Sequence, residues 1–183
     1  AFKMANEIIA ILEDIMDEYP DKFTLVKSPD EISNKKGVLQ VVYGMENGAP
    51  IESNLSNIKL FSDIGINYIT LAHSKSNHIS DSSYDENKNW GGLSPFGREV
   101  VAEMNKQGVM IDISHVSDAA FYEVLKLSKT PVIASHSSLR HFVPGFERNV
   151  SDDMLKELAK NGGVIQICFG SEFIGEKENT PSL

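Results

Sequence analysis

Two stretches of this 183-residue chain end an apolar, β-branched run on a histidine: Ile111-Asp112-Ile113-Ser114-His115 and Val132-Ile133-Ala134-Ser135-His136. A helix-like segment separates them, so two consecutive parallel strands would bring two imidazoles to one edge of a sheet. A third run, Asn67-Tyr68-Ile69-Thr70-Leu71, leads to His73, and a fourth, Val38 to Tyr43, leads to Glu46. Neutral imidazole suits Zn²⁺, and a carboxylate can bridge two ions. A bound metal lowers the pKa of its water toward neutrality and makes a nucleophile for hydrolysis, while a second ion or an imidazole polarises the carbonyl. Either strand-end histidine alone would read as a hydrogen-bonding cap. Matched positions on consecutive β-α units favour metal ligation for the pair.

The other polar residues have plainer alternatives. Glu46, between Gly44 and Gly48, fits a solvated turn as well as a ligand. Asp112, in mid-strand, reads as a structural partner of the site, and the loop residues His78 and His141 read as solvated. Arg148 is either surface charge or a clamp that holds a substrate carboxylate by paired hydrogen bonds. No G-x-S-x-G elbow, Walker loop or G-x-G-x-x-G is present, which weakens serine-hydrolase, NTPase and dinucleotide readings.

The elements that must carry these residues follow from periodicity. Apolar positions at Met4, Ile8, Ile9, Ile11, Leu12, Ile15 and Met16 predict a helix over 2–18. Phe23 to Val26 is a short strand. Ser28, Pro29 and Glu31 spell a helix start running toward Gly37. Val38 to Tyr43 predicts one strand buried on both faces, followed by a flexible turn over 44–48 that carries Glu46. Leu55 to Ile64 is a helix closed by Gly65. Residues 74–92 are polar and aperiodic, a length that marks a functional or mobile loop. Helices then follow Ser94-Pro95, Ser117-Asp118 and Ser151-Asp152, and strands cover 109–114, 131–135 and 164–169. The β-then-α unit recurs five or six times, so the fold class is α/β with a parallel sheet, in one domain over 1–183.

Composition limits the partners. Hydrophobic residues at 41% and charged residues at 23% are ordinary for a globular domain, and a net charge of -9 argues against nucleic acid and anionic membranes. No stretch is apolar and long enough to span a bilayer. The single cysteine, Cys168, excludes a disulfide framework within the chain.

Several motifs resemble a known family. Tyr68-Ile69-Thr70-Leu71-Ala72-His73-Ser74 with Asn77 is similar to the Y-L-T-L-T-H-S-x-x-N stretch of membrane (renal-type) dipeptidases, and Gly91-Gly92-Leu93-Ser94-Pro95-Phe96-Gly97 to their G-L-S-P-F-G. Ile111 to Ser117, Pro131 to Ser138 and Arg148-Asn149-Val150-Ser151-Asp152-Asp153 resemble their next three motifs, in family order. The resemblance implies a metal-dependent (β/α)₈ TIM barrel with two zinc ions that hydrolyses dipeptides bearing a free C-terminal carboxylate. It makes Glu46 the carboxylate bridging both metals, and His115 and His136 the ligands of the second metal. It makes His73 the group that contacts substrate and stabilises the developing oxyanion, and Arg148 a holder of the substrate's polar end.

Two departures stand out. The family reads G-V-E-G-G-H-S around the glutamate, where this chain has Gly44-Met45-Glu46-Asn47-Gly48-Ala49-Pro50. The family's H-x-D pair for the first metal and its late proton-shuttling aspartate are not in this sequence. The chain is therefore expected to be the central part of a dipeptidase barrel, unable to catalyse efficiently alone. Its open sheet edges would invite missing segments or a second copy, as in a homodimer. The competing expectations are another amidohydrolase-type barrel, disfavoured because no lysine sits at a strand end, and a non-catalytic scaffold of the same fold.

Overall fold

The computed structural model of the chain describes residues 1–34 and 36–175. It opens with α1 (Phe2–Glu18) and a small parallel sheet of β1 (Phe23–Leu25) and β2 (Leu39–Val41). A larger sheet follows, in which β3 (Tyr43–Glu46), α2 (Ser56–Ile64), β4 (Ile66–Thr70), α3 (Pro95–Gln107), β5 (Met110–Asp112), α4 (Asp118–Leu127), β6 (Ile133–Ser137), α5 (Asp152–Asn161) and β7 (Val164–Ile167) alternate. A short α6 (Ser171–Ile174) ends the described chain. The five strands β3 to β7 are all parallel and lie side by side in sequence order. A doubly wound sheet reverses its order at a switch point, whereas a barrel wall does not. The sheet is five strands of such a wall, with β3 and β7 at its edges.

Local chemistry sets the helix ends. Ser94, Ser117 and Ser151 each accept an N–H three residues on, from Gly97 (2.8 Å), Ala120 (3.3 Å) and Met154 (3.3 Å). Each such cap contributes about 1 kcal/mol. Gly65 and Gly108 close α2 and α3 in the left-handed region, where a Cβ would be strained. The helices turn Ile58, Phe61, Val100, Met104, Phe121 and Val124 onto Ile69, Leu71 and Ile111 of the sheet, in one continuous apolar core. Neighbouring helices also pack in sequence, α2 on α3, α3 on α4 and α4 on α5.

Four expectations need correction. The helix after Ser28 is a single 3₁₀ turn, Pro29–Glu31; Ser28 makes no side-chain cap, and Glu31 instead accepts the Lys27 N–H at 2.8 Å. Ile32 is 63% exposed, so a longer helix here would have no apolar face to bury. The doubly buried strand over 38–43 is two strands. β1 takes Leu39–Val41 as partner while β4 takes Tyr43–Glu46, and the chain changes partners at an exposed Val42. The flexible turn over 44–48 is in its first half ordered sheet, with Gly44, Met45 and Glu46 paired to Tyr68, Ile69 and Thr70. A Cβ at Gly44 would meet the Tyr68 ring, which would have to move aside.

The 74–92 stretch, expected as a functional or mobile loop, is built around two side chains, and the fourth correction, at His78, lies in it. Asp81, fully buried, accepts the N–H groups of Asn89 (2.7 Å), Trp90 (3.1 Å) and Gly92 (3.0 Å). Asn77 accepts from Ile79 and Ser80 and donates to Leu71 and Asn47. His78, expected in solvent, is half-buried, stacked on Phe96 and 2.6 Å from the Glu52 carbonyl.

Candidate metal centre

Strand register brings the polar groups together. Glu46 pairs with Thr70, Thr70 with Asp112, and Asp112 with Ile133. His73, His115 and His136 each lie three residues beyond their member of that row, so the three imidazoles stand at one level above the sheet. Their rings adjoin, with centroids 4.2 Å apart for His73 and His115 and 4.8 Å for His115 and His136. Glu46 Oε1 lies 3.2 Å from His73 Nε2, 3.1 Å from His115 Nε2 and 2.9 Å from His136 Nε2. The two last nitrogens are 2.8 Å from each other.

Backbone strain helps to reach this arrangement. His115 has φ 68°, a left-handed conformation that costs a residue with a Cβ on the order of 1–3 kcal/mol. The 74–92 loop holds it there: Ser83 donates to the His115 carbonyl at 2.7 Å, and Ser117 donates to the Asp81 carbonyl at 3.0 Å. Asn47, next to Glu46, also has positive φ, at 93°, and its Oδ1 accepts the Ala49 N–H. Asparagine tolerates a positive φ better than most residues with a Cβ, and the turn ends with Glu46 in the cluster.

Below the ligands, Asp112 ties three strands. Its Oδ2 accepts Thr70 Oγ1 at 2.6 Å and Ser135 Oγ at 2.5 Å, and its Oδ1 accepts the N–H groups of Ser114 and Ser135 at 3.0 Å each. This is the structural role expected of it, although β5 ends at Asp112 rather than running on past it.

The donor set fits a divalent cation. One carboxylate oxygen has two lone pairs, so three imidazoles cannot all donate to it well. Glu46, His115 and His136 offer one oxygen and two nitrogens, all within 4.8 Å of one another. Burial, then the charges of Arg148, His73 and His136, hold the His115 pKa down at about 2, so this imidazole stays neutral and keeps a lone pair. Its Nδ1 is buried without a partner among the described residues. Electron-pair donors crowded this closely are best reconciled by a cation among them.

The cluster lines a cavity of about 460 Å³ together with Arg148, Tyr84 and Glu172. Arg148 is 3% exposed, so it is not surface charge. Its Nη2 donates to the His136 carbonyl at 2.6 Å, while Nε and Nη1 are buried with no partner among the described residues. Burial pushes its pKa down. A buried guanidinium without a paired carboxylate among the described residues favours an anionic ligand. Tyr84 and Glu172 carry no sequence pattern that would single them out, one sitting in the aperiodic loop and one on α6. Burial, then Glu172, raises the Tyr84 pKa. Asp118, Arg140 and Glu147 brace the Arg148 loop: Arg140 forks onto Asp118 at 2.7 and 2.6 Å, and Glu147 accepts the Asp118 N–H. A larger groove of about 730 Å³ between α2 and α3 is lined by Lys59–Asp63 and Lys106–Glu103 pairs, whose charges are spent on one another.

Comparison with known proteins identifies the family. The family described as membrane dipeptidase (peptidase family M19) matches over residues 1–182. The chain is 38% identical over 163 residues to dipeptidase tcpJ of Claviceps purpurea, covering 88% of this chain and 38% of that protein. It is 34% identical over 171 residues to dipeptidase 3 of Mus musculus, covering 91% and 34%. It thus spans little more than a third of the length of these relatives. Among solved structures, an amidohydrolase from Pseudomonas aeruginosa superposes with a TM-score of 0.85 at 30% identity, over 91% of this chain and 51% of that one. A metallo peptidase from Rhodobacter sphaeroides, liganded with a phosphinate mimic of the dipeptide L-Ala-D-Ala, shares the fold with a TM-score of 0.88 at 23% identity, over 97% and 52%. The ordered motifs, the sequential parallel sheet and the match along nearly the whole chain lead to one assignment: the chain belongs to the membrane dipeptidase family, peptidase family M19.

Proposed function

We propose that residues 1–183 form a single unit, the central wall of a metal-dependent TIM barrel, and that the whole protein hydrolyses the peptide bond of dipeptides. The observation that carries this is the convergence of Glu46, His115 and His136. We take the metal to be zinc, because two neutral imidazoles and a carboxylate suit it. When bound, such an ion supplies Lewis acidity and an activated water.

The chain's own residues have separable tasks. His115, His136 and Glu46 would hold the ion, and as a carboxylate Glu46 could also serve a second one. His73 sits at the rim with Nδ1 on Ser74 Oγ at 2.8 Å, which leaves Nε2 facing the cavity to meet an oxyanion. Arg148 orients the substrate, since its guanidinium lines the cavity and its charge can draw the C-terminal carboxylate that distinguishes a dipeptide from a longer chain's interior. The buried wall of the cavity strengthens that contact by excluding water.

The test compares the whole protein and this chain, both zinc-loaded, on a dipeptide and on its C-terminal amide. The whole protein is expected to hydrolyse the dipeptide and to discriminate against the amide, and this chain to turn over far more slowly. A whole protein inert toward dipeptides would overturn the proposed activity. Equal turnover by this chain would overturn the claim that it carries only part of the centre.

A further inference from the structure

His136 does not stand alone beneath the proposed ion. Its Nδ1 lies 2.8 Å from Ser135 Oγ, and Ser135 Oγ lies 2.5 Å from Asp112 Oδ2. A carboxylate oxygen only accepts, so the single hydroxyl hydrogen of Ser135 goes to Asp112. Ser135 Oγ can then meet His136 Nδ1 only by accepting, which requires that Nδ1 carry the ring hydrogen. Nε2 is left with a bare lone pair. His115 Nε2–H can donate to it across 2.8 Å.

Glu46 favours the opposite tautomer. Its Oε1 is 2.9 Å from His136 Nε2 and would be satisfied by an Nε2–H. The two neighbours of the ring therefore compete, and the lower one is the better anchored. Asp112 is fully buried and fixed by Thr70 Oγ1 and by two backbone N–H groups besides Ser135. Glu46 is half exposed and divided among three imidazoles. Nothing comparable fixes His115, whose Nδ1 has no partner.

We propose that Ser135, anchored by Asp112, is a positioning residue that holds His136 as the Nδ1–H tautomer and so presents Nε2 to a divalent cation before the cation arrives. This rests on the metal centre proposed above. A hydrogen bond to the far nitrogen of a ligating histidine typically changes metal affinity by about 10- to 100-fold when removed. Without it, His136 would turn its hydrogen toward Glu46 and have to give up that bond on binding.

Long-range ¹H–¹⁵N imidazole spectra of the metal-free chain read the tautomer directly, with His136→Asn identifying the His136 signals. The wild type is expected to show Nδ1–H at His136, and Ser135→Ala to shift it to Nε2–H. Zinc affinity, measured by competition with a chelator, should fall by about 10- to 100-fold in Ser135→Ala and return in Ser135→Thr, which restores the hydroxyl. An unchanged tautomer in Ser135→Ala would overturn the proposal, as would affinity that Ser135→Thr fails to restore. Should the tautomer depend on Ser135 while the wild type binds no zinc, the relay stands and the metal centre falls. Zinc binding with a tautomer indifferent to Ser135 gives the reverse.

Discussion

Replacing Asp81 with asparagine is expected to loosen the 74–92 loop and to cost about 2–4 kcal/mol. The carboxylate is fully buried, and both its oxygens are in use: Oδ1 accepts from Asn89 and Trp90, Oδ2 from Trp90 and Gly92. Either flip of an asparagine amide leaves one oxygen in place and turns an NH₂ group onto a backbone N–H. If the NH₂ takes the Oδ2 position the Gly92 bond is lost; at the Oδ1 position the Asn89 bond is lost. One hydrogen bond to a charged group is worth about 1.5–3 kcal/mol, and a buried donor left unpaired adds about 1–3 kcal/mol, part of which relaxation recovers. The only tryptophan of the chain, Trp90, lies in this loop with its Nε1 on the Asn77 carbonyl, so it reports the change itself. Urea unfolding followed by Trp90 fluorescence should show the unfolding free energy lowered by that amount, with a correspondingly lower midpoint. Acrylamide quenching under native conditions should rise, because the backbone beside Trp90 loses a tether, at Gly92 or at Asn89. A loss under about 0.5 kcal/mol with unchanged quenching would refute the view that one carboxylate organises this loop.

Other consequences can be checked in the same material. Gly97→Ala should lose about 2–3 kcal/mol in denaturant unfolding, because a Cβ there overlaps the Ile79 carbonyl, which is backbone and cannot swing away. Metal-free stability should fall with acid through His115: its folded pKa is held near 2 against an ordinary 6.5, so below about pH 6.5 only the unfolded chain takes up the proton. The slope due to this group is at most about 1.4 kcal/mol per pH unit. His115→Asn, which keeps a residue tolerant of the left-handed backbone, should flatten it, and equal slopes would contradict the assignment. Ser94→Ala should cost about 1–2 kcal/mol by thermal unfolding, since Ser94 Oγ both caps α3 and donates to the His78 carbonyl.

Much of the fold is local and could be read locally. Ser94, Ser117 and Ser151 announce α3, α4 and α5 because a cap needs only its own next three residues. The β-branched runs gave the inner strands, and their shared three-residue offset to His73, His115 and His136 is what the register later aligns. Where the outcome depends on a distant partner, sequence was silent or misleading. Val38 to Tyr43 looks like one strand until β1 and β4 each claim half of it. Arg148 looks like loop charge until the fold closes over it. Asp81 is one of many acidic residues in a polar stretch, and nothing local reveals that three N–H groups eight to eleven positions away will close on it. Tyr84 and Glu172 reach the cavity for the same non-local reason.

The central claim is that Glu46, His115 and His136 together hold a divalent metal ion. Equilibrium dialysis of this chain against Zn²⁺, beside Glu46→Gln and His136→Asn, tests it most directly. The account predicts a tightly held ion in the wild type and affinity lowered by about a hundredfold or more in each variant, since one turns the anionic oxygen ligand into a neutral amide and the other removes an imidazole. A wild-type chain that binds no ion, or variants that bind it as tightly as the wild type, would contradict it.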